Sequence, residues 1–225
     1  MMEVWEVLFP HVYLDELWAA TYETIYMTVV SLFFTALLGI PLGVLLYMTA
    51  KGNPWENQWF YRVTGTIVNI FRSIPFIILI ILLIPYVRMI FGVGYGMSAA
   101  IPALIIGAAP FYARLVEIAF REIPKGVVEA AQAMGAGNRH IIFKVLLPEA
   151  KPALVSGLTV TGIALIGYTA MAGVVGAGGL GYYAYRMGFQ MNYEDVTLVA
   201  TIAIIIIVQV FQMVGDLIVK ALDKR

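Results

Sequence analysis

The chain has 225 residues, of which 61% are hydrophobic and 12% are charged, and its formal net charge is zero. Soluble domains carry roughly 25% charged residues, so this composition excludes an ordinary soluble domain and indicates an integral membrane protein. The neutral balance gives no reason to expect a nucleic-acid partner. Because the sequence contains no cysteine, it also excludes disulfides, thiol nucleophiles and cysteine zinc sites.

The first residues do not have the pattern of a cleavable signal. They lack a basic n-region, and no lysine or arginine occurs before Lys51. Acidic residues are present instead, the last of them being Glu23. We expect residues 1–20 to form a short extracytoplasmic segment, residues 21–218 a transmembrane domain, and residues 219–225 a cytoplasmic tail.

Runs without charged residues predict the membrane-spanning helices. A helix needs about 20 apolar residues to cross the hydrocarbon core, whereas barrel strands would be about half as long and would alternate. The second run contains one charge, Arg72, together with Pro75 and Pro85, which we expect to bend or break it. The sequence therefore predicts an all-α integral membrane protein with five spans, at about 24–50, 63–90, 97–118, 152–173 and 195–217.

Basic residues are distributed unequally between the two sides of these spans. Only Arg88 and Arg186 fall on one side. The other side carries Lys51, Arg62, Arg114, Arg121, Lys125, Arg139, Lys144, Lys151, Lys220, Lys224 and Arg225. The positive-inside rule then predicts an N-terminus outside and a C-terminus in the cytoplasm. Because five spans cannot form two equal inverted repeats, a symmetric pathway would need a second copy of the chain.

The segment between the third and fourth spans, residues 121–150, is charged but patterned. Pro124 suits the first turn of a helix that Gly135 and Gly137 would end. Asn138 would cap a second short helix that Pro148 would limit. The apolar residues of the two helices are Val127, Val128, Ala130, Ala131, Met134, Ile141, Ile142, Val145 and Leu146. Such a helical hairpin on the cytoplasmic face would expose apolar surface unless a partner covered it.

This segment resembles the EAA loop of ABC importer permeases. The pattern EAA-x3-G-x9-V-x-LP runs from Glu129 to Pro148, and Val145 stands where isoleucine is usual. In that family the loop is the coupling helix, which docks into a groove on the ATP-hydrolysing subunit. The resemblance implies docking roles for Glu129, Ala130, Ala131, Gly135, Leu147 and Pro148. An amphipathic helix lying on lipid is the alternative interpretation.

Two further runs, Val68 to Pro85 and Gly167 to Gly181, resemble those of the methionine permease subfamily, in which five spans are typical. The resemblance implies the type I ABC importer permease fold in the cytoplasmic (inner) membrane. The implied assembly is a homodimer in membrane lipid, with two P-loop ATPases inside and a substrate-binding (lipo)protein outside. No G-x-x-x-x-G-K-[ST] motif occurs, so this chain would carry no cofactor, and ATP and magnesium would belong to the partner.

The fourth predicted span is rich in small residues, which suits either close helix packing or a pathway at a dimer axis. Tyr168 and Met171 are its bulky exceptions, and we expect them to form part of a gate. The following G-x-G-x-x-G, Gly176 to Gly181, comes after a predicted membrane span rather than a strand, and it lies on the outer side. It therefore predicts a tight outer turn rather than a dinucleotide site.

Other function classes remain as alternatives. A permease for another amino acid or polar solute would share these features. A proton-coupled secondary transporter would call for acidic groups deep in the spans, and the nearest, Glu117 and Asp216, sit at span ends. An intramembrane enzyme would need a nucleophile–base pair or a metal cluster, and no catalytic or metal-binding residue is predicted. His11 and His140 are isolated from each other, on opposite sides.

Overall fold

The computed structural model describes residues 8–223. Residues 1–7 of the predicted N-terminal segment, and Lys224 and Arg225 of the predicted tail, lie outside the described residues. The described part folds into nine helices: α1 Leu14–Thr49, α2 Gln58–Ser73, α3 Phe76–Phe91, α4 Met97–Arg121, α5 Lys125–Ala133, α6 (Asn138–His140, π-helical Ile141–Leu146 and Leu147–Glu149), α7 Lys151–Val174, α8 (Gly179–Tyr183 and π-helical Ala184–Gln190) and α9 Glu194–Leu222.

Four helical segments and one bent pair of helices are candidate membrane spans by length and composition. Four helical segments, those beginning at Leu14, Met97, Lys151 and Glu194, are long and apolar enough to cross a membrane. The fifth candidate span is the pair α2 and α3, which together pass the same test although they are bent by 102°. The predicted all-α class with five spans is therefore confirmed.

The first helix begins at Leu14, well before the predicted boundary at residue 24. Asp15 and Glu16 lie in its first turn, where negative charge is stabilised by the helix dipole. These acidic residues of the predicted extracytoplasmic segment therefore favour a helix start. With 36 residues α1 is about 54 Å long, so it extends beyond a hydrocarbon core about 30 Å thick.

The second span is divided at Pro75. Ile74 and Pro75 both have extended backbone, with ψ angles of 123° and 132°. Proline has no amide hydrogen and disfavours helical geometry in the residue before it, so α2 ends at Ser73 and α3 starts at Phe76. The predicted span 63–90 is thus two helices, broken at Pro75 as the sequence leads us to expect. Pro85, the other predicted breaker, remains inside α3.

A seam of glycines holds α1 against α4. A Cβ atom on Gly43 would lie 2.5 Å from Val116 Cβ, and one on Gly39 would lie 2.7 Å from the Tyr112 ring. Tyr112 and Val116 are at most 1% exposed. Because glycine has no side chain, the backbones of the two helices approach closely at these positions. In lipid the hydrophobic effect does not drive helix association, and close packing of this kind holds helices together.

The predicted basic residues gather at one end of the bundle, here called the basic end. Lys51, Arg62, Arg121 and Lys125 line one cavity there, between α1, α2 and α4. A neighbouring cavity is lined by residues of the turn before α5, the end of α6 and the start of α7, and by Leu222 at the end of α9. The orientation of this end relative to the cytoplasm stays a prediction from the charge distribution.

Candidate functional site

A bend at Gly135 follows the end of α5 and leads into α6. Gly135 has φ +81°, its N–H donates to the Gln132 carbonyl at 2.9 Å, and the Ala136 N–H donates to the Ala131 carbonyl at 3.0 Å. These two bonds form a Schellman motif, which satisfies carbonyls at the end of α5. The predicted bend at Gly135 is therefore present, because glycine adopts positive φ without strain.

Apolar residues of the hairpin pack onto the ends of α1 and α4. Ile141 and Leu146 are fully buried, and Val128 and Ala131 are at most 7% exposed. They share one core cluster with Tyr47, Met48, Val116 and Phe120. The hairpin and the two spans consequently form a single packed unit, so a displacement of the hairpin would carry the ends of α1 and α4 with it.

Three details of the predicted hairpin are wrong. Ala131 was expected on the docking surface, but its side chain is 6% exposed and contributes to the core. Gly137 rather than Asn138 occupies the N-cap of the second helix. Pro148 does not end that helix. It lies at the start of the turn Leu147–Glu149, where a missing amide hydrogen is tolerated, and the Ala150 N–H donates to the Leu146 carbonyl at 3.0 Å.

The outer surface of the hairpin is apolar at its most prominent points. Met134 is 82% exposed and Phe143 is 65% exposed. Glu129, Ala130, Gly135 and Pro148 are also exposed, and Leu147 is half-buried. Pro148 lines the cavity beside the start of α7. Sequence reasoning missed Phe143 as a surface residue because it follows two isoleucines that are buried. The helical spacing to Ile141 and Leu146 was the available signal for its outward direction.

A buried ion network lies directly above the hairpin. Glu117 is 1% exposed, and its two oxygens accept from Arg114 Nη1 and Arg121 Nη2, both at 2.6 Å. The Tyr61 hydroxyl donates to the same carboxylate at 3.1 Å, and Arg114 Nη2 donates to Asn69 Oδ1 at 2.9 Å. Since Tyr61 and Asn69 belong to α2, the network ties α2 to α4. Each carboxylate oxygen of Glu117 is therefore paired with an arginine.

One face of α7 is exposed within the part of the chain that the structure describes. Its exposed residues are Ser156, Val160, Gly167, Met171 and Val174, spaced three, four or seven apart. A Cβ atom on Gly167 would meet nothing within 4 Å, and Met171 is 46% exposed. The other predicted gate residue, Tyr168, is half-buried beside this face. Its ring stacks on that of Phe76 with centroids 4.5 Å apart.

Helix α2 exposes two chemically different faces. Its buried residues, Gly65 and Val68, mark the side that faces α4. An apolar exposed face consists of Trp59, Val63, Ile67 and Ile70, and a polar exposed face consists of Arg62, Thr66, Asn69, Arg72 and Ser73. A single environment does not suit both faces. The apolar face is suited to lipid, and the polar face requires water or a polar partner.

A cavity of about 270 Å³ opens at the break between α2 and α3. Arg72 is the one charged residue in its lining, and the aromatic residues there are Phe71, Phe76, Phe111 and Tyr168, with Ile74, Leu79 and Gly107 between them. The Arg72 guanidinium lies 5.8 Å from the centroid of the Phe111 ring. Phe111 is near the middle of α4, which runs from Met97 to Arg121, so the cavity is near the middle of that span.

The glycine-rich turn closes the end of the bundle opposite the basic end. Gly176, Gly178 and Gly179 all have positive φ, as the prediction of a tight turn requires. The Gly179 N–H donates to Glu23 Oε2 at 2.6 Å, and the Leu180 N–H donates to Thr24 Oγ1 at 2.9 Å. These bonds join α1 to the start of α8. Sequence reasoning missed this contact because its partners are 156 residues apart.

These features define a class of protein. Residues 38–225 match the family described as "Binding-protein-dependent transport system inner membrane component". The chain belongs to this family and is a permease subunit of an ABC importer.

Relatives within the family are similar over nearly the whole chain. A "Methionine import system permease protein MetP" of Bacillus subtilis is 58% identical over 99% of this chain and 100% of its own length. A "Probable D-methionine transport system permease protein MetI" of Vibrio cholerae is 46% identical over 94% of each chain. An inward-facing structure of the "MetNI methionine ABC transporter" is 47% identical, covers 95% of this chain and 100% of its own, and has a TM-score of 0.92.

Proposed function

We propose that this permease carries methionine, as the D-isomer, the L-isomer or both, across the inner membrane. The supporting observation is the similarity over nearly its whole length to proteins described as methionine permeases, in both sequence and fold. A permease for another small amino acid would have the same architecture, because selectivity in such importers belongs largely to the binding protein.

In the proposed complex, two copies of this chain form the pathway about a two-fold axis. Two P-loop ATPase subunits bind ATP and magnesium and contact the basic end, and a substrate-binding lipoprotein delivers methionine at the opposite end. The proposed orientation follows the positive-inside rule, with the N-terminus outside and the C-terminus in the cytoplasm. The described part of the chain has no cluster of side chains suited to a metal ion.

The docking surface we propose for the ATPase is the outer face of α5 and α6, with Glu129, Ala130, Gly135 and Pro148. Met134 and Phe143 would supply apolar anchors, since exposed methionine and aromatic residues are typical of interface cores. Because the hairpin shares its core with α1 and α4, motion of the ATPase subunits would be passed to these spans.

We propose that the exposed face of α7 and the polar face of α2 line the pathway in the dimer. Met171 would meet its own copy near the axis, and its flexible thioether can repack at low cost when the helices separate. Tyr168, stacked on Phe76, would fix α7 against α3 beside this gate. At the outer end, the bonds from Gly179 and Leu180 to α1 would hold the closed state.

Transport by the reconstituted complex tests the proposal. Proteoliposomes containing the permease and ATPase subunits should accumulate radiolabelled methionine when ATP and the loaded binding protein are supplied. Unlabelled methionine should compete, whereas other amino acids should not. Uptake of a different amino acid with no uptake of methionine would show that the substrate assignment is wrong. The assignment as an importer would still hold.

A further inference from the structure

We propose that the cavity at the break of the second span is a site for the carboxylate of the transported amino acid, and that Arg72 binds that carboxylate. The inference rests on the proposed function, since it concerns the substrate of that pathway. It assigns the charged group to Arg72 and the apolar part of the substrate to the aromatic wall formed by Phe76, Phe111 and Tyr168.

Arg72 has no anionic partner among the described residues. The helices around the cavity, α2, α3, α4 and α7, contain a single acidic residue, Glu117. Both oxygens of Glu117 are engaged by Arg114 and Arg121. The contact that Arg72 does make is with the ring of Phe111, at 5.8 Å. A guanidinium near the middle of a span without a counter-ion is costly, and such residues are commonly part of substrate or ion pathways.

The surroundings of Arg72 are open to a polar face rather than to lipid. Arg72 lies beside Asn69 and Ser73 on α2, whereas Ile67 and Ile70 occupy the separate apolar face. The N-terminus of α3, which carries partial positive charge, opens at the same break in the span. The cavity therefore combines access for a polar ligand with positive potential.

The size and lining of the cavity fit a small amphipathic zwitterion. At about 270 Å³ it lies below the usual range of roughly 300–1,000 Å³ for pockets that hold drug-sized ligands. Guanidinium groups bind carboxylates with two parallel hydrogen bonds. The stacked rings of Phe76 and Tyr168 offer an apolar wall, which suits an aliphatic or thioether side chain. A site in the membrane must also release its ligand, and one charged contact on an otherwise apolar wall permits that.

The experiment uses the complete complex in proteoliposomes with loaded binding protein. Arg72→Gln should lower the methionine transported per ATP hydrolysed by about tenfold or more, the effect expected from losing a charge-assisted hydrogen bond. The ATPase activity stimulated by the binding protein should remain, because the cavity that Arg72 lines includes no residue of the hairpin. Arg72→Lys keeps the charge without the bidentate geometry, and we expect an intermediate ratio.

Arg88→Gln is the matched control, since it removes the same charge from the other end of α3, outside the cavity. It should leave the transport ratio close to that of wild type. A wild-type ratio in Arg72→Gln would overturn the proposed site. So would a loss of dimer together with the loss of transport, because Arg72 would then pair with a carboxylate of the second copy.

The two proposals fail in different ways. If the wild-type complex carried another amino acid, the substrate assignment would be wrong, and the Arg72 variants would be compared with that amino acid, which also has a carboxylate. If the wild-type complex carried methionine and Arg72→Gln did so equally well, only the site would be wrong.

Discussion

Glycine has opposite roles in two regions of the molecule. One region is the seam between α1 and α4, and the other is the open face of α7. In the seam, Gly43 leaves no room for even one additional carbon, because Val116 is already in contact distance. On α7, Gly167 leaves open space. Glycine in the first place lets two helices of one chain meet, and in the second it leaves a surface vacant for another molecule.

This difference separates structural from functional parts of the bundle. The seam, together with the core beneath the hairpin, makes one packed body of α1, α4, α5 and α6. The faces of α2 and α7 that remain open carry the groups that packing does not need, namely Thr66, Arg72 and Met171. We therefore expect substitutions in the seam to affect folding, and substitutions on the open faces to affect transport.

The largest expected effect comes from placing leucine at the two contrasting glycines. Gly43→Leu should force α1 from α4 and destabilise the protein by about 3 kcal/mol or more, because overpacking at a closed contact cannot be relieved. Gly167→Leu should insert and fold normally but impair transport. Thermal unfolding of the purified variants, with transport measured beside it, checks the pair. Equal stability of both variants would mean that the seam is not the rigid part of the fold.

The next effect concerns the coupling hairpin. Gly135→Trp should abolish ATPase docking and transport while the spans stay inserted, because tryptophan cannot readily adopt the positive φ of the Schellman bend and would also occupy the docking surface. Co-purification of the ATPase subunit and proteoliposome transport measure this. Normal association together with normal transport would show that the hairpin is not the coupling element.

A smaller effect is expected from the apolar anchors of that surface. Phe143→Ala should weaken ATPase binding by about tenfold or more, in keeping with a contact worth roughly 2 kcal/mol at an interface core. Stability should change little, because Phe143 is 65% exposed. Ile142→Ala is the informative comparison, since that neighbour is buried and should lower stability instead. Titration of ATPase binding to each variant, with unfolding curves, separates the two roles.

The smallest predicted change is at the gate. Met171→Ala should allow leak or futile ATP hydrolysis without loss of stability, because the Met171 side chain is 46% exposed. Substrate leak from preloaded proteoliposomes without ATP measures this. A cysteine at position 171 should also crosslink to its copy in the resting dimer. If Met171→Ala showed no leak, and if the cysteine variant at position 171 formed no crosslink, Met171 would not be part of the gate.

Much of this fold could be predicted because hydropathy and turn chemistry are local properties. The five apolar runs predict the five spans, and Gly135 predicts the bend of the hairpin. The contact between Glu23 and Gly179 could not be predicted, because no local pattern reports a partner 156 residues away. The burial of Ala131 likewise depends on how the hairpin sits on α1 and α4. Pro75 predicted a bend, but its angle of 102° depends on packing around both helices.

Cysteine accessibility measures whether one surface of α2 faces lipid and the other faces water. The chain has no native cysteine, so single cysteines can be placed at Thr66 and Asn69 on the polar face and at Ile67 and Ile70 on the apolar face. In the assembled transporter, a small charged thiol reagent should label positions 66 and 69 and leave positions 67 and 70 unlabelled. Labelling of positions 67 and 70, with protection of 66 and 69, would contradict the account.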